Sequence, residues 1–213
     1  MEKLSPNCSY HIFNHANGFE NVFVEDMNYK FFLEKYLKYI YPIAETYAYC
    51  LLPNHFHIVI RIRKHQVIEK LIKRDNFSKA LNVGIIGNED YEKIIEKYLS
   101  KQFANLFSSY TQSFNKVYKR MGSLFIKNFK RELILDKEYF LNAVIYTHRN
   151  PIHHAFCGRY NDWSYTSFSE IKERKSIVIE VDKLLRMFGG DASFVDLHEQ
   201  SAKNFRQSLI VDL

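Results

Sequence analysis

Apolar positions along the chain switch between two periods, and the switches mark out the elements. Residues 8–14 (CSYHIFN) form a short aromatic-rich run closed by Asn17-Gly18 and read as a first strand. Over 27–40, Phe31, Phe32, Tyr36, Tyr39 and Ile40 recur at helical spacing. Residues 45–52 and 55–63 read as two strands joined at Leu52-Pro53-Asn54, a turn of the kind proline and asparagine favour. A short helix is expected at 66–74, and a loop at 82–88 around Gly84 and Gly87. From 91 to 121 there is no Gly or Pro. Ile95, Leu99, Phe103, Leu106, Tyr110, Phe114, Val117 and Met121 follow three- and four-residue steps, which predicts one long amphipathic helix, or two in series, stopping at Gly122.

Residues 123–134 read as a strand or hairpin. A further helix is expected over 137–150, with Asp136 as its N-cap and Pro151 ending it near Asn150. Two short helices at about 176–187 and 194–204 form a C-terminal appendix. Strand, helix, strand, strand opens an α+β sandwich of ferredoxin-like or RRM-like type, with an antiparallel sheet. No internal repeat or low-complexity segment breaks this order.

The richest chemistry lies in AYCLLPNHFHIVIRI (48–62). Side chains alternate along a strand, so His55 and His57 share one face while Phe56 points into a core on the other. Two imidazoles on one face can serve one metal ion. About ninety residues later comes IYTHRNP (145–151). At 100° per residue, Phe140, Leu141, Val144, Ile145 and His148 form the apolar stripe of that helix, and Tyr146 lies nearly opposite, with Asn150 one turn on. A chain with 15 tyrosines has many at the surface, so Tyr146 alone is an ordinary rim residue. Beside a metal it can do more: the cation polarises a phosphate, the hydroxyl attacks it, and an amide oxygen completes the metal's shell.

The charge suits a polyanionic partner, and equally a modest positive charge that merely keeps the protein soluble. The chain has 213 residues, 46% of them hydrophobic, with a net charge of +6 and a pI near 9.0. KVYKRMGSLFIKNFKR (116–131) carries Lys116, Lys119, Arg120, Lys127, Lys130 and Arg131 with no acid, interleaved with Tyr118, Phe125 and Phe129. That mixture suits phosphates and unstacked bases, and equally a solvated basic face with core aromatics between the charges. Arg61 and Arg63 follow the histidine pair and extend the same expectation. His11 either reaches the site or lines the sheet; His153, His154 and His198 are expected to be structural. The odd set of cysteines, Cys8, Cys50 and Cys157, has no zinc or redox spacing and fits a reducing cytosol. With no apolar leader and no run of about 20 apolar residues, a cytoplasmic protein with no membrane association is expected, at the nucleoid when bound to DNA.

Taken in order, YHIFN, AYCLLPNHFHIVI, YKRMGSLFIKNFKREL, VIYTHRNPIHHAFC and DWSYTS run through most of 8–168. In this combination the chain resembles the HUH single-tyrosine transposases, and within them the REP-associated tyrosine transposases. The resemblance implies a catalytic domain over 1–168 with a helical insertion at about 66–121, and an appendix over 169–213. It implies a divalent metal, Mg2+ or Mn2+, at His55 and His57, with Asn150 as third ligand and Tyr146 as nucleophile. The implied reaction cuts single-stranded DNA beside a hairpin through a 5′-phosphotyrosine and later rejoins strands. Monomer and homodimer both stay open. The competing expectation is a domesticated regulator that binds hairpin DNA without cutting it. An RRM-like RNA-binding protein would need exposed aromatics where His55 and His57 stand, which counts against it.

Overall fold

The computed structural model describes residues 2–77 and 88–211. Its sheet is built from β1 (Ser9–His15), β2 (Ala44–Leu52), β3 (His55–Ile62) and β4 (Lys130–Ile134), in the order β2-β3-β1-β4 with every pairing antiparallel. Helix α1 (Asp26–Tyr39) links β1 to β2. Helices α2 (His65–Arg74) and α3 (Asn88–Val117) lie between β3 and β4. The order is thus that of a ferredoxin-like α+β sandwich carrying a helical insertion. Helix α4 (Lys137–His153) follows β4, and then come α5 (Phe168–Lys172), α6 (Val181–Phe188) and α7 (Asp191–Val211).

Strand register assigns the two faces. His55 and His57 pair with His15 and Phe13 of β1, and Val59 pairs with His11, so all of these side chains share one face. Phe56 points the other way. Its ring meets Phe32 of α1 at 5.4 Å, Phe107 of α3 at 5.8 Å and Phe125 at 6.0 Å. Helices α1 and α3 therefore close the aromatic core, while α4 covers the histidine face, with Phe140 edge-on to Tyr47 at 5.1 Å. The β2–β3 turn is clamped from outside: the carbonyl of Pro53 accepts from Val22 N at 2.7 Å and Phe23 N at 2.9 Å, and that of Asn54 accepts from Ala16 N at 2.7 Å.

Several boundaries differ from the sequence expectation. Helix α3 stops at Val117 rather than running to Met121, because Lys119 adopts a left-handed φ of 51° and the Asn115 side chain donates to Gly122 O at 2.9 Å, folding the chain back. Met121 is consequently exposed. Only 130–134 of the expected 123–134 strand or hairpin is a strand; Asn128 at φ 66° interrupts the extended backbone, and the segment before it touches the end of β1 through Ile126 N to His15 O at 2.9 Å and an Ala16–Phe125 bridge just beyond. Pro151 does not end α4, which continues to His153. In the last turn a proline forfeits a single backbone bond, and the helix closes past it through His154 N to Asn150 O at 3.0 Å. The C-terminal helices begin at Val181 and Asp191, after residues 176–180 have run along β2 through a Thr46–Ile179 bridge. Gly189 and Gly190, at φ 85° and 114°, separate them. Of the loop expected over 82–88, residues 82–87 lie outside the described residues, and Asn88 opens α3.

Candidate active site

The tight Pro53-Asn54 turn places His55 and His57 at the start of a central strand, both buried beneath α4. His55 Nδ1 lies 2.7 Å from Asn54 Oδ1. An amide oxygen only accepts, so Nδ1 carries the proton and Nε2 keeps its lone pair. That Nε2 is buried with no hydrogen-bond partner. His57 Nδ1 lies 2.9 Å from His11 Nε2, which leaves its Nε2 as the outward nitrogen. The His55 and His57 rings stand edge to face at 5.4 Å.

Helix α4 brings the tyrosine to this pair. Asp136 caps it, accepting from Tyr139 N at 2.7 Å, and its apolar stripe of Phe140, Val144 and His148 faces inward. Tyr146, 37% exposed, stands edge-on to His57 at 5.5 Å and to His11 at 5.8 Å between ring centroids. Asn150 follows one turn later. It belongs to the polar side by helical angle, yet it is fully buried because this end of α4 lies over His55. Its Nδ2 donates to Tyr146 O at 3.2 Å, and its Oδ1 is buried without a partner.

Two orphaned acceptors, His55 Nε2 and Asn150 Oδ1, thus sit in the same buried layer. Buried polar atoms without partners are costly, and a cation would satisfy both. Among the described residues, no three His, Cys, Asp or Glu side chains converge as a ligand set. A cation here therefore needs oxygen besides the two imidazoles, and Asn150 offers it. Two nitrogens and an oxygen suit manganese well, and magnesium with the help of phosphate or water oxygens.

The electrostatics favour neutral rings. Burial pushes the pKa of His57 down to about 2, with His11 and His55 adding to the effect. Burial also takes His55 down to about 4, with His15 and His154 adding; Asn150 works against the shift. His11 is lowered by burial too, and Glu132 opposes this. Neutral imidazole is the ligating form.

Some site residues were not expected from the sequence. His15 stacks on His55 at 4.6 Å and His154 meets it edge-on at 4.8 Å, so His154 flanks the site instead of serving only the fold. Glu132 and Tyr139, with His11, Phe13, His57, Asn142, Ala143 and Tyr146, line an open cavity of about 310 Å3 at the tyrosine. For Glu132 the signal lies in register: it pairs with His11 across β1–β4. No spacing within the sequence reveals that.

The basic residues separate into groups. Lys130 is exposed on β4 in the row Lys130–Phe13–His57, on the histidine face. Arg61 shares that face at the far end of β3, where its Nε donates to Asn7 O at 3.2 Å. Arg63 donates to Tyr41 O at 3.1 Å and lies within 4.0 Å of Glu45 and Glu180. Arg120 is bound to both carboxylate oxygens of Glu20 and to Ser123 O, pinning the turn after α3. Lys116 and Lys119 are exposed at that end of α3. Lys127 and Arg131 line a groove of about 600 Å3 with Phe107, Phe125 and Phe129, and the Arg131 guanidinium sits 5.3 Å from the Phe129 ring centre.

No protein-family model matches the chain. A curated Haemophilus influenzae protein, "Putative REP-associated tyrosine transposase", is 28% identical over 131 residues, 60% of this chain and 60% of that protein. The match thus spans less than two thirds of the curated relative's length. A solved structure of a REP-associated tyrosine transposase bound to a REP hairpin aligns over 85% of this chain and 87% of its own, with 13% identity and a TM-score of 0.49. Over those 131 residues the chain is similar in sequence to a curated protein of the kind that its motifs resemble.

Proposed function

We propose that this relative of the REP-associated tyrosine transposases is a metal-dependent single-stranded DNA strand transferase, which cuts beside hairpins and rejoins the ends. The observation that carries the reading is the meeting of Tyr146 with His57 at 5.5 Å, over a layer where His55 Nε2 and Asn150 Oδ1 lack partners. His55, His57 and Asn150 would hold a Mg2+ or Mn2+ ion. When bound, the ion supplies Lewis-acid polarisation of the scissile phosphate.

The chain's own residues do the rest. The hydroxyl of Tyr146, a residue that lines the open cavity, attacks phosphorus. A Tyr146 O–P bond forms, the P–O3′ bond breaks, and the phenol loses its proton as the departing 3′ oxygen gains one. The products are a 5′-phosphotyrosine and a free 3′-hydroxyl. Attack of a 3′-hydroxyl on the phosphotyrosine reverses the exchange and seals a strand. One phosphodiester bond is traded for another, so no nucleotide triphosphate is needed. In this reading Lys130, Lys127 and Arg131 would take backbone phosphates, and an exposed aromatic edge beside them would take unstacked bases. Among the described residues no helix is long and apolar enough to cross a membrane. The reading carries a cytoplasmic protein, at the nucleoid when bound to DNA.

The test is a denaturing gel of labelled hairpin-bearing single-stranded DNA from the gene's own flanks, incubated with Mn2+ and either wild type or Tyr146→Phe. A protease-sensitive shifted band in wild type alone is the expected result. Clear hairpin binding with no adduct in wild type would replace the reading with that of a non-cleaving hairpin-DNA regulator.

A further inference from the structure

His57 does not meet solvent or a carbonyl through its second nitrogen; it meets another histidine. His57 Nδ1 and His11 Nε2 are 2.9 Å apart, their rings lie nearly parallel at 5.0 Å, and both are buried. On its far side, His11 Nδ1 lies 3.7 Å from Glu132 Oε2. The same carboxylate oxygen accepts from Tyr139 Oη at 3.2 Å, which fixes its rotamer. Glu132, His11 and His57 thus form a line across three adjacent strands, ending at the ring to which Tyr146 stands edge-on.

Two neutral histidines can share their hydrogen bond in either direction, and only one direction suits a metal ligand. If His11 donates from Nε2, its Nδ1 lone pair faces the Glu132 carboxylate, and His57 must carry its proton on Nε2. If His57 donates from Nδ1, His11 carries its own proton on Nδ1 facing Glu132, and His57 Nε2 is left with a free lone pair. A carboxylate attracts N–H and repels a lone pair, so it selects the second arrangement. We infer that Glu132 and His11 are positioning residues, which together fix the tautomer of His57 so that its Nε2 lone pair is presented beside Tyr146. The inference rests on the metal-site reading above for its use, but the tautomer belongs to the metal-free protein and is measurable there.

No comparable device acts on His55. Asn54 fixes that ring directly, since its amide oxygen has one possible role. Both histidines therefore arrive with Nδ1–H spent and Nε2 available, by two different routes.

The experiment uses the full chain labelled with 15N-histidine and freed of metal at pH 7.5, with His57→Ala for assignment. Long-range proton–nitrogen correlation spectra report each ring's tautomer. Wild-type His57 is expected as the Nδ1–H form, with a mixture of both forms in Glu132→Ala. A wild-type His57 in the Nε2–H form overturns the inference, as does a tautomer unchanged in Glu132→Ala. The Glu132 side chain is half exposed, so its replacement leaves the fold intact, and a thermal melt checks this. Binding of Mn2+, followed by loss of the free-ion electron paramagnetic resonance signal, should weaken in Glu132→Ala by on the order of 10- to 100-fold. Equal affinity in the two proteins counts against the inference. Failure of wild type to bind Mn2+ at all would overturn the metal reading instead, and the spectra would still decide the tautomer.

Discussion

His148 of α4 and His198 of α7 share a buried hydrogen bond of 2.9 Å between Nδ1 and Nε2. Its direction can be worked out. His198 Nδ1 is 2.7 Å from Phe194 O, a pure acceptor, so His198 is protonated there and accepts at Nε2 from His148 Nδ1–H. His148 Nε2 then accepts from Ser167 Oγ at 2.8 Å, and Ser167 Oγ accepts from Tyr49 N at 2.9 Å. One chain of hydrogen bonds thus ties the C-terminal helix to the tyrosine helix and to β2. Residues after 168 are an appendix in sequence, but α7 helps set where α4 rests.

Replacing His198 with alanine leaves His148 Nδ1–H buried without an acceptor and opens a gap among Phe168, Phe188 and Phe194. Loss of a buried partner costs ~1–3 kcal/mol before any cavity penalty. We expect urea unfolding of His198→Ala to show a stability loss of about 3 kcal/mol. A loss below about 0.5 kcal/mol would show that the hydrogen-bond chain contributes little.

The same histidines predict acid sensitivity. Burial takes His148 well below its ordinary range and His198 down to about 4. Each is neutral when folded and protonates near 6.5 when unfolded. Between these values the unfolded chain binds more protons, so stability falls as pH drops from about 6.5 toward 4. For His198 alone this amounts to on the order of 2 kcal/mol at pH 5. His55 and His57 act in the same direction. Urea midpoints at pH 7.5 and pH 5.0 check this, and an equal midpoint at both would contradict it.

Lys130 and Arg63 should behave oppositely. Lys130 is exposed on the histidine face; Arg63 is held by Tyr41 O, Glu45 and Glu180. Lys130→Ala should weaken binding of cognate and scrambled hairpin strands alike and reduce the slope of log affinity against log salt by about one unit. Arg63→Ala should leave that slope unchanged and lower stability by about 1 kcal/mol, the scale of a partly buried ion pair. Fluorescence anisotropy across a salt series, with a urea melt of each variant, separates the two.

Phe56, between the two histidines in sequence, is a core residue enclosed by Phe32, Phe107 and Phe125. Phe56→Ala should cost about 3–5 kcal/mol, and Phe56→Leu markedly less. Calorimetric melting of both variants measures the difference.

Alternation and helical spacing are local properties, so β1, β2, β3, α1, α2, the tyrosine helix and the opposed directions of Phe56 and His57 were legible along the chain, and β4 was legible in part. So was the position of Tyr146 off the apolar stripe, with Asn150 a turn later. Helix ends were less legible. Lys119 adopts a left-handed backbone that its side chain does not announce, Asn128 adopts one that asparagine tolerates but does not require, and Pro151 is tolerated because it falls in a last turn. Which strands became neighbours was settled by packing. Strand register set Glu132 beside His11 and His15 beside His55, and packing carried His198 under α4 and His154 against His55. Those contacts join residues far apart in the chain. They depend on how whole elements bury their apolar faces, which no spacing within one element encodes.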